Sequence, residues 1–244
     1  MSNKSYFNWS GGKDSALALY YALQNKNYSI EKLLTTINGQ HRRISMHGVR
    51  EELLEQQAEA IGIRLQKLIL PDQPSMSVYE QQMMTAMNAL QQEKFTHAFF
   101  GDIFLEDLKQ YRENELAKVG FEAVFPIWKR NTAGLMQEFR ELGFKTIVVC
   151  VKAEVLDKSF AGRVIDRDFL KDLPEFVDPC GENGEFHTFV YEGPVFQQAV
   201  SFEIGEKVFR EYKAPKDGTD NCFTQPQPSS MGFWFCDLMP KGNY

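Results

Sequence analysis

The stretch "FNWSGGKDSALALYYAL", residues 7 to 23, constrains the fold of this chain more than any other. A short apolar run of strand type ends at Trp9, two glycines follow, and a helix-forming run starts at Asp14 or Ser15. Glycine allows a tight turn and lets backbone approach a ligand with no Cβ in the way. A helix start presents unpaired N–H groups and a partial positive charge. Lys13 adds a point charge, Ser10 and Ser15 add hydroxyls, and the whole reads as a cradle for phosphate. The bland alternative is a strand-to-helix turn capped by Asp14, for which a lysine between Gly-Gly and Asp-Ser is a poor choice. The letters fit neither Gly-x-x-x-x-Gly-Lys-[Ser/Thr] nor Gly-x-Gly-x-x-Gly, so two common nucleotide loops are excluded.

The apolar pattern extends this strand-then-helix beginning. Short runs "SYFNW", "KLLTTI", "LQKLIL", "THAFF" and "TIVVCV" alternate with helical periods as far as about residue 151. Leu53, Leu54, Ala58 and Ile61 share a face of a helix starting near Val49; Leu105, Leu108, Leu116 and Val119 suit a second, and Leu135, Phe139 and Leu142 a third. Gly62, Gly120 and Gly143 stand where helix C-terminal caps belong. Alternating strand and helix implies parallel strands with right-handed crossovers, an open α/β sheet. After residue 152 the chain turns irregular, then offers strands in "FHTFVY", "QAVSFEIGEKVF" and "GFWFCDLMP"; "KAPKDGTDNCFTQPQPSS", 213 to 230, reads as a connection. A boundary near 128 divides a first portion, 1–128, from a smaller α+β portion, 129–244.

Composition removes several classes. The formal charge of −6 leaves no electrostatic footprint for nucleic acid. No run approaches the ~20 apolar residues of a membrane span, and no secretory leader is visible. The four cysteines, at 150, 180, 222 and 236, are too far apart for a CxxC pair and are expected as reduced thiols in a cytoplasm.

Ser-Gly-Gly-Lys-Asp-Ser resembles the PP-loop of the ATP pyrophosphatases, the adenine nucleotide alpha hydrolase-like group. That resemblance implies that Ser10, Gly11, Gly12, Lys13, Asp14 and Ser15 hold the pyrophosphate part of ATP, with Mg²⁺ assisting. It also accounts for a helix apolar nearly all round, covered by the sheet and its neighbours.

Two further stretches lie where strands end, the edge at which open α/β sheets bind ligands. After "KLLTTI", Thr35, Thr36 and Asn38 could meet the nucleotide, with His47 beyond them as ligand, cap or packed ring. After "THAFF", Gly101 and Asp102 follow; Asp102 either holds Mg²⁺ or a ribose hydroxyl or caps the next helix. On that helix Arg112 and Glu115 are three apart, as a surface ion pair or facing the cleft. A third dense stretch is "DPCGENGEFHTFVYEGPVF", 178 to 196. Gly181 and Gly184 let its backbone fold closely, Glu182 and Glu185 could bind an amine, ammonium or metal, and a strand carries His187 and Thr188 outward. Asn183-Gly184 is equally a hairpin-turn signal. Cys180 is a candidate nucleophile if its pKa is lowered.

Together the glycine loop, "GDI", "FPIW" and "GENGEFHTF…GP" resemble the diphthine–ammonia ligase family over residues 5 to 196, in a bacterial-type branch. "ENGE" departs from that family's Glu-Gly-Gly-Glu, a change a left-handed Asn183 would absorb. The resemblance implies an open, mostly parallel PP-loop (HUP-like, Rossmann-like) sheet with a smaller C-terminal α+β domain. It implies catalysis by Lys13, Asp14, Asp102, Glu182 and Glu185, with Asp14 and Asp102 as metal ligands. Ser10 to Ser15, Thr36, His47 and Gly101 would hold the nucleotide, and Cys180 to Gly184, His187 and Thr188 the substrate. A carboxylate-bearing acceptor, protein or small molecule, would be adenylated, pyrophosphate released, and AMP displaced by ammonia. A homodimer is open, while membrane and nucleic-acid partners are not expected. A PP-loop tRNA-modifying or adenine nucleotide hydrolysing enzyme and a non-catalytic adenine nucleotide sensor are the alternatives.

Overall fold

The computed structural model describes residues 2–44, 47–72, 74–213 and 230–241; residues 214 to 229 of the connection read above, Cys222 among them, lie outside. In chain order the elements are β1 (Asn3–Asn8), α1 (Lys13–Gln24), β2 (Tyr28–Asn38), β3 (Arg43–Ile44), α2 (Glu51–Ile61), β4 (Arg64–Leu70), α3 (Met76–Gln92), β5 (His97–Phe99), α4 (Glu106–Lys118) and β6 (Glu122–Val124). There follow α5 (Thr132–Glu141), β7 (Lys145–Lys152), α6 (Arg167–Asp172), β8 (Phe186–Glu192), β9 (Phe202–Lys213) and β10 (Ser230–Pro240).

The first sheet carries parallel strands in the order β4-β2-β1-β5-β6, with the short β3 antiparallel on the end of β2. Chain order runs outward from β1 in both directions, so the direction of winding reverses between β1 and β5. That reversal opens a crevice at the carboxyl ends of those two strands. The glycine loop leaves β1 there, and Gly101-Asp102 leaves β5 there. Strand alternation buries both faces. Tyr6 packs with Leu68, Met87, Leu90 and Leu116 on one side, while Phe7 packs with Leu17, Leu33, Leu53 and Phe99 on the other.

The second sheet is antiparallel, in the order β8-β7-β10-β9. It shares its hydrophobic core with α1 and α2, so Phe7 and Leu19 belong to one cluster with Val149, Phe186 and Phe189. Here one expectation is corrected. "TIVVCV" does not extend the parallel sheet but becomes β7, inside the antiparallel one. Residues Thr146 to Val151 are all buried, and a strand covered on both faces reads as continuous apolar sequence whichever way its neighbours run. The helix α3 escaped the pattern because its buried stripe is only Ala86, Met87 and Leu90 among glutamines and other methionines that are partly or wholly exposed. Gly62, Gly120 and Gly143 do follow α2, α4 and α5, with φ of 81°, 74° and 83°. No helix among the described residues is long and apolar enough to cross a membrane.

Candidate active site

The turn from β1 to α1 is built on Gly11. Its φ is +77°, and a Cβ there would lie 2.7 Å from Gln57 Oε1 and 2.8 Å from Leu54 Cδ2, so any other residue is strained and displaces Gln57 or Leu54. Ser10 Oγ accepts from Gly12 N at 3.3 Å and donates to Ser15 Oγ at 3.0 Å, and Ser15 Oγ donates to the Gly12 carbonyl at 2.9 Å. Lys13, with only 3% of its surface accessible, sets Nζ 2.6 Å from Asp14 Oδ2. Burial opposes the Lys13 charge, but the acids around it, Asp14 first, outweigh burial and push its pKa up to about 12. Burial likewise pushes Asp14 upward against the pull of Lys13, an effect solvent partly relieves because 30% of that side chain stays accessible.

A strand from the second sheet closes over this turn. Thr188 Oγ1, on β8, accepts from Lys13 N at 3.0 Å across 175 residues of sequence, and Val190 N donates to the Gly11 carbonyl at 2.9 Å. The expectation of a helix start with free donors therefore holds only in part: Gly12 N and Lys13 N are already engaged by the chain's own hydroxyls. Nor does Thr188 point outward; it is 2% accessible. His187 lies beside it, its ring centroid 4.6 Å from that of His47, with Nε2 buried and without a hydrogen-bond partner. Burial drives both imidazoles toward the neutral form, His47 down to about 4 and His187 well below the ordinary histidine value. His47 Nδ1 is 3.3 Å from the Thr188 carbonyl.

The carboxyl end of β5 supplies the other wall. A Cβ on Gly101 would lie 2.8 Å from Ser15 N and 2.9 Å from Ser15 Cα, both backbone atoms of the first turn of α1. Backbone cannot swing aside as a side chain can, so Gly101→Ala is expected to destabilise by about 1–3 kcal/mol. Urea unfolding would read that loss; an unchanged midpoint would mean the two backbones are not in contact. Asp102 accepts from Arg112 Nη1, so of the two readings of Arg112 and Glu115 the mutual ion pair is corrected: Glu115 pairs with Lys118, and Arg112 turns to the end of β5. Burial, and then the charge of Asp14, work against Arg112 to push Asp102 upward.

The loop 178–185 completes the cluster. Asp178, not singled out in the sequence, organises it. Its Oδ1 accepts from Cys180 N at 2.8 Å and its Oδ2 accepts from the Thr132 hydroxyl at 2.7 Å. Glu185 is turned back into its own loop, accepting from Asp178 N, Asn183 N and Asn183 Nδ2 at 3.1, 2.8 and 2.9 Å, so no oxygen of it is left to face a ligand freely. Asn183 does not take the left-handed conformation expected of it; Gly181 and Gly184 do, at φ of 71° and 78°. Cys180 is corrected as a nucleophile: it is 2% accessible, its thiol lies 3.4 Å from the Thr132 carbonyl, and burial pushes its pKa up, away from thiolate. Thr36 sits half-buried near the end of β2, and Asn38 spends its side chain on Asp72, Gln40 N and His41 N, building a turn.

Glu182 differs from Glu185. Burial, then the charges of Asp14, Asp178 and Asp102, push it up to about 8 against Lys13. Its folded pKa thus lies above the unfolded value near 4.5, so the folded state holds the extra proton between those values and stability falls as pH rises through that window. Glu182→Gln is expected to remove that loss, giving a urea midpoint above wild type at about pH 9 and close to it at about pH 5. The same offset at both pH values would show that Glu182 holds no such proton.

Gln57 was also missed. It is wholly buried on α2, accepts from Trp9 Nε1 at 2.9 Å, and donates from Nε2 to the carbonyls of Gly11 at 3.0 Å and Val190 at 2.5 Å. A signal existed: it falls within the stripe Leu53, Leu54, Ala58 and Ile61, and a glutamine on a buried stripe must be hydrogen-bonded.

Two family models match the chain: diphthamide synthase N-terminal domain over residues 3–123 and diphthamide synthase C-terminal domain over residues 131–216. Diphthine–ammonia ligases are among its curated relatives. The Danio rerio protein is 30% identical over 110 residues, 43% of each chain. The Bos taurus protein is 29% identical over 110 residues, 43% of this chain and 41% of its own. The Homo sapiens protein is 27% identical over 116 residues, 45% and 43% respectively. The matched stretch thus spans less than half the length of those relatives. A solved structure described as a predicted subunit of tRNA methyltransferase from Methanocaldococcus jannaschii covers 59% of this chain and 77% of its own at 16% identity, with a TM-score of 0.40, too low to carry an argument.

Proposed function

This chain belongs to the diphthamide synthase family, and from that premise we propose that it is an ATP-dependent acid–ammonia ligase that forms AMP and pyrophosphate. One observation carries the reading: the glycine loop and the 178–188 region, far apart in sequence, meet at Lys13. In this reading residues 1–128 hold ATP and 129–244 hold the acceptor. Ser10 to Ser15, Thr36, His47 and Gly101 surround the nucleotide; Cys180 to Gly184, His187 and Thr188 surround the acceptor. Glu185 and Cys180 act there by holding the loop in shape. A cytoplasmic setting and a homodimer belong to the same reading.

An acceptor carboxylate oxygen attacks the α-phosphorus of ATP. The bond to the β-phosphate oxygen breaks, and its electron pair leaves with pyrophosphate. Lys13 and the first turn of α1 sit where that negative charge develops, which is where fixed positive charge accelerates the step. Ammonia then attacks the acyl carbon, the carbon–oxygen bond to AMP breaks, and one proton is lost from nitrogen. Glu182, pushed up to about 8, accepts that proton from its ionised fraction, which grows as pH rises toward 8. Its neighbours Asp14, Asp178 and Asp102 favour an ammonium ion in the same place.

The residues fit Mg²⁺. Asp14 and Asp102 are hard oxygen donors, and the charge of Asp14 raises the proton affinity of Asp102, as one carboxylate does to another where a cation would be favoured. No group of three or more His, Cys, Asp or Glu among the described residues is arranged for a metal, but Mg²⁺ needs only one or two carboxylates beside substrate phosphates. When bound it would supply positive charge to the phosphates.

The test uses ATP, Mg²⁺, ammonium and an acceptor, diphthine-bearing protein first, whose carboxylate carries ¹⁸O. One AMP and one pyrophosphate per amide are expected, with one ¹⁸O in the AMP. Release of ADP and phosphate, or AMP without label, would sink the adenylation.

A further inference from the structure

The loop that carries His47 is anchored outside the nucleotide half. Its two arms meet through an antiparallel bridge between Arg43 and Arg50, with Ile44 N donating to the Val49 carbonyl at 2.9 Å. Two arginines facing each other across such a bridge repel. Asp237, on β10, removes that repulsion. Its Oδ1 accepts from Arg43 Nη1 at 2.8 Å and from Arg50 Nε at 3.1 Å, and its Oδ2 accepts from Arg50 Nη2 at 2.6 Å. Arg43 Nη1 also donates to the Gly48 carbonyl at 2.7 Å. The Asp237 side chain is 16% accessible, so these contacts are sheltered from solvent more than an ordinary surface pair. Next to it, Phe235 lies against the backbone of Gly48, where a Cβ would be 2.8 Å from the ring. At the tip of the loop, His47 Cε1 lies 3.0 Å from where a Cβ on Gly12 would stand.

We propose that Asp237 is a positioning residue for nucleotide binding: by gathering Arg43 and Arg50 it seats His47 against the glycine loop and the β8 strand. The proposal rests on the nucleotide reading above. It makes the grip on ATP depend on a carboxylate of the second sheet, 190 residues from the loop it serves, and so couples the two halves of the chain. With Asp237 gone the two guanidinium groups separate, the loop lifts, and His47 leaves its buried seat beside His187 and Lys13.

The experiment compares wild type with Asp237→Asn and with Arg43→Gln/Asp237→Asn, using two measurements. Titration of the His47 ring by NMR needs no nucleotide. In wild type the ring should titrate near the depressed value of about 4 that its burial imposes. In Asp237→Asn it should move toward the ordinary histidine value, and in the double variant, where one repelling cation is absent, part of the way back. Calorimetry with a non-hydrolysable ATP analogue should show about tenfold weaker binding for Asp237→Asn, with partial recovery in the double variant. A folded Asp237→Asn protein whose His47 titration and analogue affinity match wild type would overturn the proposal, even if its urea midpoint fell. Failure of wild type itself to bind the analogue would instead remove the nucleotide reading, while the His47 shift would still report whether Asp237 seats the loop.

Discussion

Lys13→Ala is expected to lower ATP-dependent release of AMP and pyrophosphate by about 10²–10³-fold, the usual loss when one fixed electrostatic group is removed from a developing charge. The effect is large because, among the described residues, Arg112 and Arg130 are already committed, the first to Asp102 and the second to Tyr21 and Glu138. Stability must be followed alongside. Taking one partner from a wholly buried ion pair costs about 3–5 kcal/mol. The loss here is smaller, since Asp14 keeps 30% of its side chain in solvent and can hydrate or take up a proton. Lys13→Met separates the two effects, because it keeps an unbranched stem beside the Phe186 ring, which Nζ approaches to 5.4 Å, and removes only the charge. A near-normal turnover rate in a folded Lys13→Met protein would refute any role for this lysine in carrying charge away from the α-phosphorus.

The second large effect is expected at Gln57, far from any reacting atom. Gln57→Leu fills nearly the same space but strips the acceptor from Trp9 Nε1 and a donor from the carbonyls of Gly11 and Val190. Gly11 O keeps its bond from Val190 N, so the cost falls mainly on the other two groups. Unsatisfied buried polar groups of this kind give a loss of roughly 2–5 kcal/mol. For a chain of this size that is a fall in melting temperature on the order of 10 °C. Activity should fall further than stability alone requires, because the glycine loop then loses its tie to α2 and is held only by its bonds to β8. A urea midpoint within about 0.5 kcal/mol of wild type, the range of an ordinary surface change, would show that Gln57 is not the knot described here.

These two residues also mark what could and could not be read in advance. Lys13 announced itself because its neighbours are chemically odd for a turn: two glycines, an acid and two serines in six positions. The parallel sheet was legible for a similar reason, since period-2 and period-3.6 apolar patterns are local properties of strand and helix. Gln57 was hidden, because a polar residue on an apolar stripe says that a partner exists without saying which. Asp178 was hidden likewise: it bonds Thr132, 46 residues away, and the amides of its own loop. Cys180, Glu185 and Asn183 carry the right letters for chemistry, but the hydrogen bonds that engage them, to Thr132 and within their own loop, were not legible.

By itself, then, the sequence determined most of the longer elements, α3 apart, the glycine loop at the end of β1, and the strand ends where a ligand would sit, because torsional preference and apolar period act over a few residues. Only the tertiary structure decided that β7 joins an antiparallel sheet, that Thr188 occupies an amide of the glycine loop, and that Asp14, Asp178, Asp102 and Lys13 all act on Glu182. Those outcomes depend on burial and charge–charge distance, which exist only once segments far apart in the chain have been packed together.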